Sequence, residues 1–166
     1  SLHSKKKGPI ELKKLKIVNC PQISTNPNTL RFFFDFNPST SQCKSLQSLQ
    51  TLIFTPLQNT QVNTDLIALP SELKKIKIGS CLYLNETGLQ HFTKLIKLKS
   101  LSFIDCSNIK EKGLIYLPLS LEKLELCRCE AISIVEVIRS ITHLKNLRSL
   151  KIGSCKIDFS DFSPLD

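Results

Sequence analysis

The chain has 166 residues, 23 of them Lys or Arg and 14 Asp or Glu, for a formal net charge of +9. That length fits a single domain spanning residues 1–166. No apolar run approaches the roughly 20 residues of a membrane helix, no signal peptide is visible, and seven cysteines, an odd number, argue against a disulfide framework.

The first segment, Ser1-Leu2-His3-Ser4-Lys5-Lys6-Lys7, offers no apolar cap and carries a short basic run. Such a run with net positive charge raises nucleic-acid binding as one reading. A pattern then begins at Leu12-x-x-Leu15-x-Ile17-x-x-Cys20. It recurs from Leu49 (with Leu57 in the cysteine position), Leu73, Leu98, Leu121 and Leu147, the later cysteines being Cys81, Cys106, Cys129 and Cys155. The steps between first leucines are 37, 24, 25, 23 and 26 residues. Alternation at Leu15-x-Ile17 or Leu124-x-Leu126 predicts one short half-buried strand per repeat. No single repeat buries its apolar side alone, so neighbours must stack, with their strands parallel and about 4.8 Å apart.

The long first step contains an insertion at about residues 24–45, punctuated by Asn26-Pro27 and Asn37-Pro38. Its Leu30, Phe32, Phe33, Phe34 and Phe36 are too apolar for a solvated loop and predict a segment tucked against the core. Further on, the repeats at Leu73 and Leu121 are preceded by Leu69-Pro70 and Leu117-Pro118, whereas those at Leu49, Leu98 and Leu147 are preceded by Leu46, Leu95 and Leu144. Leu49 to Leu98 and Leu98 to Leu147 are both 49 residues, so the chain reads as duplicated pairs. Proline sets up an extended approach to the strand. The returns without it have room for a helix, at residues 88–95 and at Val135–His143. The tail, from Ile157 to Asp166, alternates apolar and acidic residues and reads as a partial cap. A chain that starts at Ser1 and has no methionine also reads as a piece of a longer protein.

A period in the twenties is that of leucine-rich repeats. The expected fold is therefore α/β: a solenoid of about six repeats, a parallel sheet on the concave side, and short helices and turns on the convex side. The segments Cys81-Leu-Tyr-Leu84-Asn-Glu86-Thr-Gly88-Leu89 and Cys106-Ser-Asn-Ile109-Lys-Glu111-Lys-Gly113-Leu114 resemble the cysteine-containing repeats of F-box-type ubiquitin ligase receptors, which run Cys-x-x-Ile-Thr-Asp-x-Gly-Leu. Cys20-Pro-Gln-Ile23-Ser and Cys129-Glu-Ala-Ile132-Ser match the first half only. The Leu-Pro-x-x-Leu approaches are similar to those of bacterial effector repeats. The resemblance implies the solenoid fold and a role in recognition: the substrate-receptor part of a ubiquitin ligase, or an effector acting in a host cytosol. No F-box segment precedes the repeats here, so the ligase role is not carried by these residues.

Positions flanking the buried strand residues must face the concave side. They carry six lysines and one glutamate: Lys14, Lys16, Lys75, Lys77, Lys123 and Lys151, with Glu125. Arg128 flanks this face, and Ile53 and Ile104 are expected as exposed apolar residues on it. These nine residues other than Glu125 make a mixed basic and apolar groove suited to a partner protein with an acidic surface. The face lacks Tyr, Phe or Trp platforms for bases, which argues against nucleic acid. Five cysteines on adjacent turns in a buried position imply packing and a reducing, cytoplasmic compartment. Cys127 of the Cys127-x-Cys129 pair points outward, near Lys123 and Arg128; a reactive thiol with its pKa lowered by these cations is one reading of it, which the sequence leaves open and does not favour. His3, His91 and His143 have no companion Ser, Cys or carboxylate constellation, and the five glycines form no phosphate loop. Neither a catalytic set, a metal site nor a cofactor is expected.

Overall fold

The computed structural model describes residues 11–18, 48–55 and 62–155. Six strands, β1 (Lys14–Val18), β2 (Thr51–Thr55), β3 (Lys75–Gly79), β4 (Ser100–Ile104), β5 (Lys123–Cys127) and β6 (Ser149–Gly153), lie in chain order in one open parallel sheet. Each is five residues long and pairs in register with the next, Lys14 opposite Thr51 through to Lys123 opposite Ser149. The register is set by the apolar alternation, since a one-residue slip would turn every leucine outward. This is an α/β arrangement compatible with a solenoid. The aromatic insertion at 24–45, Cys20, Leu57, the basic run at Lys5–Lys7 and the tail beyond Cys155 lie outside the described residues.

One face of the sheet is covered by the return segments. These are α1 (Val62–Asp65) with a 3-10 turn at Leu66–Ala68, α2 (Glu86–Leu89) with a 3-10 turn at Gln90–Lys94, a 3-10 helix at Glu111–Tyr116, and α3 (Ile134–Ser140). Helices were expected only in the returns without proline, yet Glu111–Tyr116 precedes Leu117-Pro118 and Val62–Ala68 precedes Leu69-Pro70. The proline stands beyond the helix end rather than within it. Leu117 is already extended, φ −69° and ψ 140°, as the residue before a proline must be.

The core is a stack of equivalent side chains. Leu52, Ile76, Leu101 and Leu124 form one buried row, Phe54, Ile78, Phe103 and Leu126 another, and Leu49, Leu73, Leu98 and Leu121 a third at the strand approaches. Phe92 from the return packs edge-on against Phe103, with centroids 5.9 Å apart. Burial fades toward the sheet ends: Leu12 and Leu15 are only partly covered, as are Leu147 and Ile152, and Leu150 is 37% exposed.

The cysteines complete the stack. Cys81, Cys106 and Cys129 are buried. The Cys106 Sγ faces the carbonyls of Ile104 at 3.5 Å and Ile78 at 3.9 Å, and Cys129 meets those of Cys127 and Phe103 in the same way. Desolvation pushes the Cys81 and Cys129 thiols up to about 11 and Cys106 higher still. The residue before each of the four described ladder cysteines has positive φ: Ser80 51°, Asp105 56°, Arg128 53°, Ser154 53°. This left-handed residue turns the chain out of the sheet. It also aims its N–H at the last carbonyl of the next strand, as with Ser80 to Ile104 at 2.8 Å and Arg128 to Gly153 at 2.7 Å.

Glycine makes the returns stack closely. A Cβ on Gly88 would stand 2.4 Å from the Asn63 Oδ1 and 2.7 Å from the Leu84 Cδ1, and one on Gly113 would stand 2.6 Å from the Leu89 Cδ1. These are the glycines of the Cys-x-x-Ile/Leu-x-x-x-Gly-Leu segments.

Candidate functional site

The other face of the sheet is open, and pairing register resolves it into three rows. The first reads Lys14, Thr51, Lys75, Ser100, Lys123, Ser149. The second reads Lys16, Ile53, Lys77, Ser102, Glu125, Lys151. The third holds Val18 and Thr55, then Gly79, Ile104, Cys127 and Gly153. A shallow hollow runs across β3 to β6, walled by Lys75, Lys77, Lys123 and Lys151 and floored by Ser100 and Ser102.

Lys14, Lys16, Lys75 and Lys123 are exposed and Lys77 is half-buried. None of the five forms an ion pair among the described residues. The remaining expected cations are committed. The Lys151 Nζ lies 2.7 Å from the Glu125 Oε1. Arg128 holds Asp105 through both Nε and a terminal nitrogen, the latter contact at 2.8 Å, so its guanidinium is anchored at the strand end rather than offered to the open face. At the flank, Lys99 pairs with Glu122 at 2.7 Å.

Glu125 is the centre of a small network. Its second oxygen accepts the Ser102 hydroxyl at 2.7 Å, and the Cys127 thiol approaches the first at 3.6 Å. Lys151 and then Ser102 hold the carboxyl down at about 2, against burial. Ser102 is itself buried, 7% exposed, because the long side chains of its register neighbours close over it. The sequence contains the ingredients of this network, a single acid among the open-face positions with Lys151 one repeat on, but not the rotamers that join them.

Two expectations change here. Ile53, between Lys16 and Lys77, and Ile104, beside Cys127, are half-buried rather than exposed. The large apolar side chains that stand in solvent lie elsewhere: Ile96 (70%), Leu119 (64%), Ile115 (63%) and Ile138 (55%). And the Cys127 thiol is pushed up, not down: partial burial and the adjacent Glu125 carboxylate outweigh Lys151. Arg128 is turned to Asp105. The neutral thiol is therefore favoured at Cys127.

His91 and His143 sit on the return segments. The two ring nitrogens of His143 face the carbonyls of Ser140 at 3.1 Å and Leu117 at 3.3 Å, so this ring ties α3 to the preceding return. Among the described residues, no three of His, Cys, Asp and Glu are grouped to hold a metal ion, and no helix is long and apolar enough to cross a membrane. Compared with known protein families and with curated protein sequences, the chain matches none.

Proposed function

We propose that this chain is a leucine-rich-repeat-like solenoid that recognises a partner protein through its open, lysine-bearing face, the partner contributing acidic side chains. One observation carries the reading: five lysines on β1, β3 and β5 stand without an ion-pair partner among the described residues, while the only carboxylate in the three rows, Glu125, is taken by Lys151. Lysines with no ion-pair partner form a positive field that attracts anionic surfaces and speeds their association. The side chains stand on a sheet pinned by its own register, so little backbone ordering entropy is lost on binding. Ser100 leaves the floor between Lys75 and Lys123 low enough for a partner to approach. The same rows contain no aromatic residue on which a base could stack, which favours protein over nucleic acid. The segments similar to ligase receptor repeats support a recognition role as well, including capture of a substrate.

The test is a paired pull-down with wild type and a Lys14→Glu, Lys16→Glu, Lys75→Glu, Lys77→Glu variant whose fold is checked by circular dichroism. Proteins held by wild type and lost from the variant support the reading. Equal recovery of every protein by both would remove it.

A further inference from the structure

The first row of the open face alternates without a break: Lys14, Thr51, Lys75, Ser100, Lys123, Ser149. Lysine and hydroxyl exchange at every strand, so the row repeats every second strand, the same pairing that gives the 49-residue step in sequence. Neighbouring strands are about 4.8 Å apart, which puts successive lysines about 10 Å apart with a hydroxyl midway. Lys16 and Lys77 repeat the spacing on β1 and β3, two of the three lysine strands, one pleat away.

Resting on the acidic-partner reading above, we infer that the ligand of this face is an acidic α-helix lying across the strands, with carboxylates one heptad apart along the face it presents. The geometry selects among polypeptide conformations. In an α-helix, residues seven apart return to one face after about 10.5 Å, and residues three or four apart fall near 5 Å on that face. Carboxylates at heptad spacing thus meet the lysines, and the residues between them meet Thr51, Ser100 and Ser149. A β-extended segment presents one face every second residue, about 6.7 Å, and misses the lysines. Polyproline II repeats a face at about 9.3 Å but places no residue over the hydroxyls, because its two intermediate residues point elsewhere. Toward β6 the first row ends on Ser149, and Glu125 neutralises Lys151 in the second. The acidic residues of the helix therefore lie over β1 to β5, where Lys14, Lys75 and Lys123 stand, and a neutral end over β6.

The experiment uses the full chain at low ionic strength and four fluorescent probes of equal charge. These are a helical peptide with three glutamates at seven-residue spacing, the same composition with the glutamates clustered in one turn, a proline-rich peptide with glutamate at every third residue, and a single-stranded oligonucleotide. The heptad peptide is expected to bind about tenfold more tightly than the other probes, and Lys75→Glu or Lys123→Glu to weaken it about tenfold each. Lys112→Glu, a same-charge change on the covered side, is expected to leave it within twofold, which separates the row from net charge. Equal binding of heptad and clustered peptides overturns the spacing but leaves the acidic-partner reading intact. Tightest binding by the proline-rich peptide overturns the helix. Tightest binding by the oligonucleotide, or no binding by any peptide, overturns both the inference and the reading it rests on.

Discussion

The hydroxyl of Ser102 on β4 donates to the Glu125 carboxylate on β5 across 2.7 Å, beneath the lysines of the open face. This one contact, with Lys151 closing the other oxygen, neutralises the second row at β5 and β6, while Lys123 keeps the first row cationic as far as β5. The Glu125 carboxyl titrates near 2 in the folded protein, below its ordinary 4.5. A depressed carboxylate contributes stability above its unfolded pKa and loses it as pH falls through the folded one. The advantage of wild type over Glu125→Gln in urea midpoint is therefore expected to be constant above about pH 5 and to shrink steadily toward pH 2. A pH-independent difference would mean that the network is not electrostatic.

Glu125→Gln also releases Lys151. The same variant is expected to bind an acidic probe more tightly, because the face gains one free cation. Fluorescence titration against wild type at two salt concentrations checks it, and the gain is expected to diminish at high salt.

The glycines of the return segments make a sharp contrast. Gly88→Ala places a methyl against Asn63 and Leu84, and Gly113→Ala places one against Leu89 and the Glu86 backbone. Each is expected to destabilise by about 1–3 kcal/mol through overpacking. Gly153→Ala, whose nearest atom is the Cys127 Sγ at 3.4 Å, is expected to be near neutral. Chemical denaturation of the three variants checks the order.

The ladder thiols face carbonyls inside an apolar stack. Cys106→Ser buries a hydroxyl on a shorter bond than the thiol, further from those acceptors, and is expected to cost about 1–2 kcal/mol. An unchanged denaturation midpoint would show that Cys106 is not packed as described. In the folded protein at neutral pH, Cys81, Cys106 and Cys129 are expected to resist alkylation and to react only on unfolding, as read by mass spectrometry. Their burial and raised pKa values both act in that direction.

Left-handed backbone at the strand exits supplies a further check. Ser80 has φ 51°, so Ser80→Val forces a β-branched side chain into a region it disfavours and is expected to cost about 1–2 kcal/mol. Ser80→Gly is expected to be neutral or slightly stabilising, because the relief of strain offsets the extra freedom of the unfolded chain. Thermal unfolding of the pair measures the difference.

The strands, their parallel order, the face each strand residue takes and the packing role of Cys81, Cys106 and Cys129 were all legible in the sequence. They follow from a period of two within a period in the twenties, and periodicity depends only on backbone geometry. Lys14, Lys75 and Lys123 could be placed on one face for the same reason. Their alignment into one row with hydroxyls between required the register, which neighbouring strands decide together. Tertiary structure alone decided which cations are free: Lys151 and Arg128 look like Lys75 in sequence, but the rotamers of Glu125 and Asp105 consume them. It also decided that Cys127 is not activated and that Ile53 and Ile104 are half covered, since electrostatics and burial depend on distances between side chains far apart in the chain. The helices before Pro70 and Pro118 belong to the same class, because proline forbids a helix through itself and leaves open what stacking builds just ahead of it.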